Sequence, residues 1–174
     1  MPCFAFAHED ADDPATTIRS MAAADQAFCR ALFEEQRAPL FAPLGLSAQM
    51  LSAMLDQQFR AQKAGLSHIS PDAGEFLIAR DNAPVGRVVV DLASDATGIT
   101  LRLIDIAIVE TARGQGIGSD VIGTFARAAQ AQGATSMTLS VLKTNSRARQ
   151  LYERLGFAAT ATTDAHVTMV KALP

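Results

Sequence analysis

Residues 110–122 read ETARGQGIGSDVI: an arginine, then glycines at Gly114, Gly116 and Gly118, set between the apolar run GITLRLIDIAIV (98–109) and a helical pattern. Glycines at such a turn let backbone amides approach a ligand with no Cβ in the way. The next helix adds unpaired N–H groups and the positive end of its dipole. Taken alone, the stretch reads equally as a phosphate-binding turn from strand to helix and as a purely structural glycine turn. Two familiar phosphate loops fail here: Ser119 stands where GxGxxG needs its third glycine, and no lysine is placed to make GxxxxGK.

Downstream of the loop, Val121, Ile122, Phe125, Ala128 and Ala129 recur at helical spacing up to Gly133, a good residue just past a helix end. TSMTLSV (135–141) alternates, with Met137, Leu139 and Val141 on one face, and predicts a strand. Asn145 then caps SRARQLYERL, whose Ala148, Leu151, Tyr152 and Leu155 share a side, and Gly156 closes it. Two final strands come next, around a polar loop.

Upstream, residues 9–16 are an acidic lead-in to a strand near Thr17–Met21, and Ala27, Phe28, Ala31, Leu32 and Phe33 make a first helical stripe. APLFAPLGLS (38–47), with two prolines and a glycine, should break it. Ser47 caps a second helix that carries Leu51, Met54, Leu55 and Gln58, and Gly65 should stop it. EFLIARDNAPVGRVVVDLAS (75–94) reads as a hairpin, with the proline arguing for more than a two-residue turn. A turn at 95–98 leads to the third strand of this meander.

A chain of 174 residues with 49% hydrophobic and 19% charged residues is expected to form a single domain over 1–174, with 1–16 as a loose lead-in. A net charge of -3 gives no electrostatic reason to expect nucleic acid as a partner. The N-terminus lacks a basic, then apolar, leader pattern and no run approaches membrane-spanning length, so a cytoplasmic protein with no membrane partner is expected. Cys3 and Cys29 read as free thiols. His8, His68 and His166 are too scattered for a ligand set, and no metal is expected.

Arg113 with Gly116 and Gly118, joined one helix and one strand later by NSRARQLYERLGF (145–157), resembles the GNAT family of N-acetyltransferases. That family carries Arg or Gln, two residues, Gly, one residue and Gly or Ala, and then an NxxAxxLYxxxGF-like segment. The resemblance spans 101–157 in motif terms. Just before the arginine the family often has proline, acidic and aromatic residues, where this chain has Glu110, Thr111 and Ala112.

The resemblance implies a mixed α/β fold, with a central, mostly antiparallel twisted sheet flanked by helices on both faces, and acetyl-CoA as cofactor. The coenzyme A pyrophosphate would sit on the amides of Arg113, Gly114, Gln115, Gly116, Ile117, Gly118 and Ser119. The pantetheine arm would pair with the backbone of Ile106, Ala107 and Ile108, where a strand splayed from its neighbour leaves peptide groups to satisfy. Asn145, besides capping its helix, would lie beside that arm, and Lys143 and Arg147 near the nucleotide phosphates.

Acetyl transfer to an amine needs a deprotonated amine, support for an oxyanion and a proton for the departing thiolate. The backbone near Ile108 is a candidate for the second role, and the resemblance assigns Tyr152 to the third; on spacing alone, Tyr152 reads as a tyrosine packed on a helix face. Asp105, a carboxylate inside an apolar run, is the candidate base, beside a reading as a paired structural acid. Glu75, His68 or a water chain are alternatives.

By the resemblance, residues 38–68 help build the acceptor side. Phe41, Leu44, Leu46, Met50 and Met54 dominate it, with Gln58, Gln62 and Arg60 as polar groups, and no carboxylate cluster suits a polycation. The same stripe also reads as helix packing or as the surface of a homodimer. The expected activity is direct transfer of acetyl from acetyl-CoA to a primary amine of a small molecule or peptide in a ternary complex. The rivals are a non-catalytic coenzyme A sensor or assembly domain and, more distantly, a nucleotide-dependent oxidoreductase.

Overall fold

The computed structural model describes residues 9–10, 15–96 and 98–174; for Glu9 and Asp10 only the backbone is described. Cys3, His8 and most of the acidic lead-in lie outside the described residues. The strands are β1 (Glu9–Asp10), β2 (Thr16–Ser20), β3 (Gly74–Arg80), β4 (Ala83–Asp95), β5 (Gly98–Ile108), β6 (Ala134–Leu142), β7 (Ala158–Thr162) and β8 (His166–Ala172). The helices are α1 (Gln26–Phe41), α2 (Ala48–Ile69), α3 (Ile117–Ala131) and α4 (Ser146–Arg154).

One sheet joins the strands in the order β1-β2-β3-β4-β5-β6-β8-β7, and β5 with β6 is its single parallel pair among the described residues. The helix α3 makes that crossover. On its face the core gathers Phe76, Ile78, Val88, Val90, Leu101 and Met137 around Phe125, and Tyr152 from α4 joins the same cluster. The alternate buried residues Leu77 and Val89 turn to the opposite face, as strand alternation requires, and α1 and α2 cover that side. No helix among the described residues is long and apolar enough to cross a membrane.

Three boundaries differ from those expected. Helix α1 runs through Pro39 to Phe41, because a proline in the last turn forgoes only one hydrogen bond, and the chain passes into a 3-10 turn in which the Ala42 N–H bonds the Pro39 carbonyl; the break falls at Gly45, whose φ is 58°. Helix α2 passes Gly65 and ends at Ser70, which precedes Pro71 and leaves the helical region with φ -138°. The β3–β4 connection is a tight two-residue turn: Arg80 pairs with Ala83, and Asp81 and Asn82 both take positive φ, 50° and 63°. Pro84 is accommodated beside the register shift at Ile78/Ala79 rather than in the turn.

Candidate active site: a cleft where two strands part

The β5–β6 ladder stops at the Leu103–Leu139 pair. Beyond it β5 continues to Ile108 bonded to β4, and β6 continues to Leu142 bonded to β8. The cause is visible in the β4 register: Val90 faces Leu103 and Val89 faces Asp105, so Ile104 has no partner. A bulge of this kind bends its strand and re-aims the residues beyond it. The gap it opens is a cleft of about 200 Å³ bounded by Leu103 to Ile106 on one side and Leu139 to Leu142 on the other.

The N–H of Val109 donates to the carbonyl of Val85 at 2.9 Å. By alternation along the strand, the peptide groups of Ile106 and Ile108 face away from β4, toward the cleft edge. Ala107, the third strand residue expected there, is 4% exposed and carries its side chain in the interior. At the far wall, Tyr152, Asn145 and His166 line the cleft. The Tyr152 ring packs edge-on to Phe157 at 5.9 Å between centroids; burial, and secondarily the negative charge of Asp105, push its phenol above the ordinary value. Asn145 accepts from the Ala148 N–H at 3.1 Å and so caps α4 as the spacing predicts.

The glycine loop follows β5, and a Cβ on Gly118 would stand 3.6 Å from both Ile108 Cδ1 and Leu151 Cδ2. Gly114 and Gly116 have φ of 80° and 87°, which a side chain would strain. The amides of Gly114, Gln115, Gly116, Ile117 and Gly118 have no hydrogen-bond acceptor among the described residues, whereas Arg113 N–H returns to Glu110 and Ser119 N–H to Gly116. Five free donors at a helix start are the groups that an anion would need. The Arg113 side chain braces the loop: its Nε donates to the Ile108 carbonyl at 2.8 Å and its Nη2 to Glu35 at 3.3 Å. Gln115 is held by Thr111 and Arg80. Arg147 lies beside the loop, its Nη2 3.6 Å from where a Cβ on Gly114 would stand, while Lys143 is exposed beyond β6.

A second cavity, of about 310 Å³, opens on the α1–α2 face and shares Ile104 and Asp105 with the cleft. Asp105 is paired: Arg87 donates to its Oδ2 through Nε at 3.1 Å and Nη2 at 2.7 Å, and the carboxylate side chain is 33% exposed rather than enclosed. Glu75 lines this cavity; His68 does not. Of the apolar segment expected on the acceptor side, only the last half of α2 contributes, through Phe59, Gln62 and Leu66. Leu44 and Met50 are 62% and 59% exposed at the other end.

Sequence reasoning missed Arg87, Glu35 and His166. Arg87 was within reach: counting back from the 95–98 turn puts it across from the Asp105 neighbourhood on an antiparallel pair. Glu35 carried no local signal, since it grips residues 75 and 78 positions away.

The acetyltransferase (GNAT) family model matches residues 29–157. Solved structures share the fold at low identity. The PaiA N-acetyltransferase of Thermoplasma acidophilum, solved with coenzyme A, is 15% identical over 90% of this chain and 98% of that one, with a TM-score of 0.69. Ard1 of Thermoplasma volcanium is 23% identical over 92% and 99%, with a TM-score of 0.62. Naa50 of Arabidopsis thaliana, solved with the bisubstrate analogue CoA-Ac-MVNAL, is 16% identical over 90% and 98%, with a TM-score of 0.61. With the family model covering most of the chain, from α1 to the end of the α4 segment, the protein belongs to the acetyltransferase (GNAT) family.

Proposed function

We propose that the protein moves an acetyl group from acetyl-CoA to a primary amine by direct transfer, with the coenzyme in the β5–β6 cleft and the amine in the α1–α2 cavity. The parting of β5 from β6 beyond Leu103 and Leu139 carries this reading. It leaves a strand edge that an extended amide arm satisfies like an added strand, directly beside five free loop amides that suit a pyrophosphate. The coenzyme supplies the activated acyl thioester; the chain supplies the rest.

Ile106 presents its backbone N–H and C=O to the arm and Ile108 its N–H, the Ile108 carbonyl being taken by Arg113, and Asn145 stands on the opposite wall. Because Ile104 and Asp105 border both cavities, an amine in one meets a thioester in the other at the bulge. Tyr152, its phenol kept protonated by burial, donates the proton to the departing thiolate. Arg87 holds Asp105 through Oδ2, which orients the carboxylate and leaves Oδ1 available as a proton acceptor.

The test is acetyl-CoA binding and amine-dependent thiol release by the wild type and Tyr152→Phe. Binding with release that collapses in the variant supports the reading. Binding without release for any amine would favour a coenzyme sensor, and failure to bind would overturn the assignment of the cleft.

A further inference from the structure

The α1–α2 cavity has a charge pattern that its size and walls turn into a selection rule. Its volume of about 310 Å³ is at the small end of ligand sites, which run from about 300 to 1,000 Å³. Cys29, Phe59, Leu66, Ile69 and Val89 give it apolar walls. The Cys29 thiol is pushed up by burial and stays neutral. The space suits one compact apolar body, not several residues of peptide.

Three charged groups stand on the strand wall: Glu75 on β3, Arg87 on β4 and Asp105 on β5. Arg87 and Asp105 satisfy each other. Glu75 has no ion pair and no side-chain hydrogen bond among the described residues, although it sits half-buried on the strand wall, paired across from Val89 and facing the apolar walls. A carboxylate held against an apolar surface without a partner is costly, and a cation arriving from outside relieves that cost. Opposite, Lys63 on α2 lines the same cavity with its Nζ 3.2 Å from the Gln26 side-chain oxygen. Its charge disfavours a second cation in so small a space.

Resting on the acetyltransferase reading above, we propose that the acceptor is a small monoamine with an apolar body, and that Glu75 binds its ammonium group. Lys63 sets the preference for one positive charge over two. The unpaired Glu75 carboxylate, the apolar walls and the volume all point to the same class.

The experiment compares thiol release at saturating acetyl-CoA with phenethylamine, putrescine and an alanine-terminated pentapeptide. Phenethylamine is expected to have the highest kcat/KM. Glu75→Gln is expected to raise the phenethylamine KM by about tenfold or more, the loss of a charge-assisted hydrogen bond, and to leave the acetyl-CoA KM unchanged. Glu75→Asp keeps the charge and should recover part of the loss, and Lys63→Ala should narrow the gap between phenethylamine and putrescine. Preference for the diamine or the peptide, or an unchanged amine KM in Glu75→Gln, overturns the proposal while the transferase reading stands. Absence of acetyl-CoA binding fails that reading first, and this one with it.

Discussion

Gly86 on β4 lies so close to β5 that a Cβ on it would stand 2.5 Å from the carbonyl oxygen of Ala107, and 3.2 Å from Ile78 Cδ1. The contact is backbone, so nothing can swing away. It holds β4 against the one stretch of β5 that β6 does not support.

Gly86→Ala is therefore expected to destabilise the fold by about 1–3 kcal/mol, the usual cost of overpacking, and to weaken acetyl-CoA binding by moving Ile106 to Ile108. Gly116→Ala makes the contrast, because nothing lies within 4 Å of a Cβ there and only its φ of 87° is strained. Its cost is of order 1 kcal/mol. Denaturant melts and coenzyme titrations on both variants check this; equal stability losses would refute the steric account.

Tyr152 is the only tyrosine in a chain without tryptophan, so the ultraviolet phenolate band reports it alone. Burial raises its pKa above the reference value of 10.0. The folded state thus holds this proton longer than the unfolded chain, and the associated stability is present below about pH 10 and lost as pH rises above it. The phenolate midpoint should lie above that of a free tyrosine, and Tyr152→Phe should remove this part of the alkaline loss. A midpoint at or below the reference would contradict the burial. In kinetics, Tyr152→Phe should lower turnover by about 10²-fold or more.

Asn145 has two roles to separate. Asn145→Ala is expected to cost about 0.5–2 kcal/mol through the lost cap on α4, whereas Asn145→Ser keeps a capping oxygen and should cost little. If the serine variant is stable and still binds acetyl-CoA several-fold more weakly, the amide contacts the coenzyme. If it binds normally, Asn145 is a cap alone.

At the entrance to α1, Arg19 grips Asp25 through two hydrogen bonds of 2.7 and 2.8 Å, and the Ala22 N–H adds a third. These hold the Asp25 carboxyl down at about 2, from a reference of 3.8. Because the folded-state pKa is depressed, the stabilisation is present above about pH 4 and is lost as pH falls toward 2. Asp25→Asn should flatten that limb of the acid-denaturation curve. An unchanged curve would show that the pair contributes nothing in solution.

Most elements were legible because their causes are local. The stripe from Val121 to Ala129 is helical by period, Gly133 and Gly156 take the left-handed φ that ends their helices, and Asn145 caps α4 as its position implies. The misread boundaries were also local, but there two signals competed. At 80–83 the proline suggested a loop, while Asp81 and Asn82 tolerate the positive φ of a tight hairpin, and the turn won.

Residues 113–118 and 145–157 announced a glycine turn from strand to helix and a capped helix bearing Tyr152, because glycine spacing and helical period act within one or two turns of chain. Only the tertiary structure decided that β5 bulges at Ile104 and leaves β6 after Leu103, that Arg87 engages Asp105, and that Glu35 steadies a loop 75 residues away. Those features depend on how distant segments pack and register against one another, and no short-range preference in the chain encodes where two strands must part.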